Sequence, residues 1–462
     1  MFKNPRLALI DCLGLSIVIL CAVLLAIWAM QHTIALRNIL LSLGCLLSIA
    51  YIYLRHRIAP FSIEWPNLTP LLFIGCLFAW VLMHYFLFSQ DQELQLKELK
   101  SVWFRGLEAS LLGWACGLVI AQKPSRINLL GYGLIGSFVI LYLQYLPKVW
   151  SSHELFHPDY LNYVFYGKIN GVLIGTLLIA GAGGRLIDLL SCGSDSRRGI
   201  ALNVAFTIIA AALPLYAYVY IFSAKNGVGL AVILAIACGL WGLKRFFGPL
   251  SHKQTWRGKL HSIATILVLL VLIAGFGKLQ LKQNPSWQYF IEDVRESVQI
   301  DKYSQWKSPA TLGYPILPSG REITPNVFER ISWATAGLRL IPLNPWGNGI
   351  LQYPFERSLI QAYPNLTPNL LPGSTHSGWI ELTLSFGFPA LICFWGALAS
   401  IAYGAIRGPL SCKGLGISLL VAIFCLYTVG ELSNHHAVEI LLFALGLLAA
   451  LNLRLNPCIP NN

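Results

Sequence analysis

The feature that most constrains this chain is the recurrence of apolar runs of roughly 17–25 residues, each long enough to cross a bilayer as a helix. About twelve occur, near residues 7–29, 36–54, 69–89, 107–122, 127–147, 170–190, 200–222, 227–243, 260–277, 378–403, 414–430 and 437–453. Only 11% of the 462 residues are charged and 56% are hydrophobic, and the mean hydropathy is +0.63. A water-soluble molecule of this size has too little polar surface to cover so much apolar area. A cytosolic enzyme, a disordered chain and a secreted disulfide scaffold are excluded. The chain reads as an all-α polytopic membrane protein with lipid as most of its solvent.

The formal net charge of +13 raises the possibility of a nucleic-acid partner. The basic residues, however, sit between the apolar runs rather than in one stripe, which is the pattern of charges that set membrane orientation. With the N-terminus placed inside, 17 of the 33 Lys and Arg fall on the cytoplasmic side, among them Arg55, Arg57, Lys123, Arg197, Lys244 and Arg257. Seven fall in the opposite short connections: Arg37, Lys97, Lys100, Arg105, Lys148, Lys168 and Lys225. This asymmetry predicts that both ends are cytoplasmic. Most of the eleven cysteines lie within apolar runs, the three outside them (Cys192, Cys412, Cys458) fall on the reducing side, and there is no CxxC pair. Neither zinc nor a disulfide framework is indicated. The N-terminal run is too long for a signal-peptide core and lacks a cleavage site, so it is read as a first span.

The organisation that follows is spans one to nine over 1–277, an outer loop domain over 278–377, and spans ten to twelve with a short tail over 378–462. The loop holds a predicted helix around 325–341, opened by Pro325 and ended by Pro342. Asp91 to Arg105 reads as a charged, Leu-containing interfacial amphipathic helix. Gly181-Ala182-Gly183-Gly184 lies at a membrane edge, where close helix packing explains it better than phosphate binding.

Three stretches carry groups suited to chemistry. The first runs from Asn326 to Gly349 and contains Arg330, Trp333, Arg339, Pro345 and Gly347. The second, Ser374 to Pro389, contains His376, Trp379, Glu381 and Gly387, and leads into span ten. The third, Phe222 to Gly227, turns span seven into span eight and contains Ser223 and Lys225. Together these resemble the O-antigen ligase and polymerase superfamily of bacterial inner membranes. Its pattern is an Arg-x-x-Trp-like helix (Arg330 to Trp333), a Pro with closely spaced glycines (Pro345, Gly347, Gly349), and a His-Asn or His-Ser before an apolar helix with a Glu and a late Gly. The resemblance extends over the whole topology: about twelve transmembrane helices with one large periplasmic loop between helices 9 and 10, as in C-type glycosyltransferases.

The resemblance implies an enzyme that uses an undecaprenyl-diphosphate-linked glycan at the periplasmic face, with no cofactor and no metal. Cations must then hold the departing diphosphate, and an arginine fork suits that task. Arg330 is the first candidate, and Lys225 stands where the family commonly has a second arginine; its ammonium offers charge without the fork. His376 is the candidate for activating the acceptor hydroxyl. Each has a structural rival: a surface arginine for Arg330, an interface snorkel for Lys225, a helix cap for His376. Arg339, Lys168 and Glu381 are weaker candidates. Nine helical steps of about 100° put Arg339 on the face opposite Arg330. His435 and His436, near Glu431, invite a metal reading, but a short turn offers no ordered ligand set.

The expected function is an O-antigen ligase that transfers a glycan to lipid A-core, with donor, acceptor and membrane lipids as partners and no nucleic acid. A polysaccharide polymerase or protein O-oligosaccharyltransferase is the alternative within the superfamily. A twelve-span transporter is the rival outside it, disfavoured because the chain has no similar halves and few mid-span charges.

Overall fold

The computed structural model describes residues 5–58, 65–154, 167–192, 197–247, 285–365, 371–407, 413–432 and 435–451, with scattered positions between 263 and 282. The described residues form helices and connections but no strand; one antiparallel bridge joins Ile316 and Glu322. Helix formation follows from the solvent, because within lipid a run of this length must satisfy its backbone groups internally. The helices are α1 (Pro5–Ile27), α2 (Ile34–Ile58), α3 (Trp65–Leu87), α4 (Gln92–Gln122), α5 (Ile127–Ser152), α6 (Lys168–Cys192), α7 (Arg197–Tyr216) and α8 (Lys225–Phe247). After them come α9 (Phe290–Ser297), α10 (Pro325–Leu340), α11 (Pro354–Ala362), α12 (Gly378–Arg407), α13 (Lys413–Val429) and α14 (His435–Leu451).

Among the described residues, eight helices are long and apolar enough to cross a membrane, against the twelve expected from hydropathy. Shorter apolar helices occupy the expected eighth, eleventh and twelfth positions: Lys225–Trp241, Lys413–Val429 and His436–Leu451. Most of the expected ninth span, 260–277, lies outside the described residues, as do 248–259 and most of 160–170.

The expected interfacial helix at 91–105 is not a separate element. Asp91 caps it by accepting a hydrogen bond from Leu94 N (3.0 Å), and it runs through a π turn at Leu99–Trp103 straight into the fourth span. Its charge is misleading on sequence alone. Glu98 is buried because its carboxylate accepts the backbone N–H groups of Leu351 and Gln352, each at 2.8 Å, and so pins the loop that follows α8 to α4. Of the glycines in 181–184, Gly184 serves packing, whereas Gly181 faces open space. A Cβ on Gly184 would lie 2.6 Å from the Gly414 carbonyl oxygen, so α6 and α13 approach closely because neither carries a side chain there.

The loop segment builds its own apolar core from Trp306, Phe328, Phe355, Leu359 and neighbours, completed by Ile380 and Leu384 of α12. Helix α10 opens at Pro325 and gives way at Leu340 to a single 3₁₀ turn, Ile341–Leu343, that contains Pro342. Proline at the first helical position costs no hydrogen bond there, because that N–H has no intrahelical partner.

The loop is fastened to α12 by a break in that helix. Gly387 has φ +69°, and Pro389 has no N–H to donate. The carbonyls released by the break are taken over in register: Asn348 N donates to Leu384 O (3.0 Å), and Gly349 N donates to Ser385 O (2.6 Å). Trp80 Nε1 donates to Phe386 O (2.7 Å), while Phe388 N turns outward to Pro345 O (3.0 Å). Buried backbone groups demand such partners. The Pro345–Gly349 motif therefore supplies backbone donors at a helix break, and its glycines admit the close approach: a Cβ on Gly347 would lie 2.4 Å from Ser385 O.

Candidate functional site

At the loop end of the bundle, α6, α8, α13 and the start of α14 enclose a cavity of about 510 Å³, counting its open mouth. Apolar side chains line most of it, and its polar groups are Asn170, Asn226, Arg330, His376 and Glu431. Arg330 and His376, named from sequence, are thus brought to one cavity from α10 and from the end of the loop.

Arg330 is half-buried and donates from Nη1 to the carbonyl of Val429 (3.1 Å), the last residue of α13. Burial pushes its guanidinium below the usual arginine range, and the nearby carboxylates of Glu431 and Glu329 oppose that shift. One turn along α10, Trp333 donates from Nε1 to Trp306 O (2.8 Å) and lays its ring beside the His376 imidazole, with centroids 5.6 Å apart and planes at 31°. The Arg-x-x-Trp spacing thereby gives one helix face two jobs: a cation for the cavity and a wall for the imidazole.

His376 sits at φ +55°, a left-handed backbone that few non-glycine residues adopt. Its N–H donates to Ser374 Oγ (2.9 Å), and its Nδ1 lies 3.2 Å from Glu431 Oε2. Glu431 belongs to the turn between α13 and α14. Burial alone would raise its pKa, but the hydrogen bond and charge of His376, helped by Arg330, hold the carboxyl below the ordinary glutamate range.

Glu381 does not line the cavity. Fully buried, it accepts hydrogen bonds from Ser374 Oγ, from Thr375 N (3.2 Å) and from Leu432 N (2.6 Å). It thus joins the segment that carries His376 to the turn that carries Glu431. Lys168 opens α6 and donates to Ser223 O (3.0 Å), and it feels the repulsion of both Arg330 and Lys225. Lys225 opens α8 after the positive-φ Ser223; its neighbour Asn226 lines the cavity and Lys225 itself does not. Arg339 is directed away, with Nη1 on both carboxylate oxygens of Asp301 (2.8 and 2.7 Å). Sequence reasoning missed Asn170 and Asn226, and it treated Glu431 only as a possible metal ligand.

Among known protein families, one matches part of the chain. Residues 209–395 match the O-antigen ligase family. The match runs from α7 into α12, so this stretch is similar to that family, and it contains Lys225, Arg330, His376 and Glu381. Lys168 and Glu431 lie outside it. No curated protein matches the chain. The match supports an O-antigen ligase or polymerase type of function, and the apolar helices support an integral membrane protein.

Proposed function

We propose that the chain is an O-antigen ligase of the bacterial inner membrane. It would transfer a glycan from undecaprenyl diphosphate to a sugar hydroxyl of lipid A-core on the periplasmic face. The observation that carries this reading is the meeting of Arg330 and His376 in one cavity at the loop end of the bundle. Lys168 lies close enough to Arg330 and Lys225 to feel both charges, so three cations able to meet a diphosphate ester are gathered at that end. His376 is the group able to accept the acceptor's proton.

In the step proposed, the acceptor oxygen attacks the anomeric carbon as its proton passes to His376. The bond from that carbon to the phosphate oxygen breaks, and its electron pair leaves with the diphosphate. Arg330 and Lys225 bind the charge that develops on the leaving group. The products are the glycoside, undecaprenyl diphosphate and an imidazolium that returns its proton to water. Side-chain cations fill the role a divalent ion plays in other glycosyl transfers, so turnover should persist in EDTA. Loss of activity in EDTA that Mg²⁺ or Mn²⁺ restores would refute that part.

The deciding experiment is deletion of the gene. Lipopolysaccharide without O-chains, while full-length polymer persists on the polyprenyl carrier, supports the ligase. A core capped by a single repeat unit replaces it with a polymerase, and intact lipopolysaccharide with glycans missing from proteins replaces it with an oligosaccharyltransferase.

A further inference from the structure

We infer that Glu431 is a positioning residue for the reaction: it fixes the tautomer and aim of His376, so that Nδ1–H faces the carboxylate and Nε2 is left to accept the acceptor's proton. The inference rests on the glycosyl-transfer reading above. It concerns a residue outside the family match, and three independent constraints on one imidazole point to it. The backbone of His376 is held in the left-handed region by Ser374, the ring is flanked by Trp333, and Nδ1 lies 3.2 Å from Glu431 Oε2. A carboxylate only accepts, so a neutral imidazole at that distance must carry its proton on Nδ1. The lone pair then resides on Nε2.

The spacing between the two groups is set by a third. Glu381 binds Thr375 N on one side and Leu432 N on the other, which are the residues next to His376 and Glu431. Two segments distant in sequence are thus locked by one buried carboxylate. After proton transfer the imidazolium lies against an anion, so the charge formed on the acceptor side is neutralised where it appears.

The rival explanation is that Glu431 is only a counter-ion for Arg330, whose charge it also feels. The two accounts differ in kinetics. If Glu431 positions His376, Glu431→Gln in the purified full-length protein lowers kcat by about 100-fold or more, the scale of lost acid–base assistance. The donor KM stays unchanged, and Glu431→Asp recovers part of the rate. If it is a counter-ion, neutralising it leaves kcat intact and lowers the donor KM, because Arg330 is freed for phosphate; that result overturns the inference and leaves the transferase reading standing.

Wild-type protein inert toward the lipid-linked glycan would reject the transferase reading instead. The His376 tautomer then decides the pairing directly. In ¹⁵N spectra of histidine-labelled protein, with the His376 signal assigned by its loss in His376→Gln, the Nδ1–H form should dominate in wild type and give way in Glu431→Gln. The same tautomer in both proteins overturns the inference.

Discussion

At the scale of single residues, the site depends on side chains whose charge or hydrogen-bond geometry cannot be exchanged. Arg330→Lys keeps the charge and loses the planar fork, so kcat/KM should fall by roughly 10- to 100-fold, the cost of one to two charge-assisted hydrogen bonds. Lys225→Arg should be tolerated in the same transfer assay. Arg339→Ala makes the contrasting prediction. Its pairing with Asp301 is solvent-exposed, at 53% and 83% of the two side chains, so the change should shift stability by less than about 0.5 kcal/mol and leave turnover intact. The depressed pKa of Glu431 has a pH consequence of definite sign. Its contribution to stability is present above the ordinary glutamate range and is lost as pH falls through the lower folded value. Thermal unfolding of wild type against Glu431→Gln should therefore differ at neutral pH and converge in strong acid. Arg330 and His376 could be named as candidates from the sequence because each sits in a motif that carries the resemblance, and the structure brings both to one cavity. Glu431 could not, because what defines it is a contact made across two helices. Its histidine neighbours, His435 and His436, pointed instead toward a metal reading.

At the scale of elements, the broken α12 and the motif that repairs it are interdependent. Gly387→Ala would place a methyl group 2.2 Å from the Pro345 carbonyl oxygen at φ +69°, so both sterics and backbone conformation oppose it. The expected cost is at least about 2 kcal/mol, read as a lower midpoint in detergent thermal unfolding. The sequence displayed Pro345, Gly347, Gly349 and Gly387 as parts of a pattern but gave no reason for them. That reason is a transfer of backbone hydrogen bonds between segments roughly forty residues apart. Helix α10 was readable to within a residue, since proline acts locally at both of its ends. Helix α4 was misread for the opposite reason: Glu98 resembles a solvated charge until its two backbone donors are brought to it by the fold.

At the scale of the whole molecule, the charge asymmetry predicts that the loop and the site share one side of the membrane. Reporter fusions at Pro318 and at the C-terminus should report opposite compartments, with Pro318 outside. A cytoplasmic signal at Pro318 would remove the site from a donor presented in the periplasm. Hydropathy located the helices well but could not count the crossings, because α8, α13 and α14 are short as apolar runs and depend on neighbours for burial.

The position of Glu431 also bears on how such proteins can be recombined. Arg330 and His376 travel together on the stretch matched to the family, whereas the turn that carries Glu431 lies beyond it. A chimera that exchanged only residues 209–395 between two homologues would join one parent's histidine to the other parent's carboxylate. Exchange of donor or acceptor preference should therefore succeed when the α13–α14 turn is moved with the loop, and stall at the proton-transfer step when it is left behind.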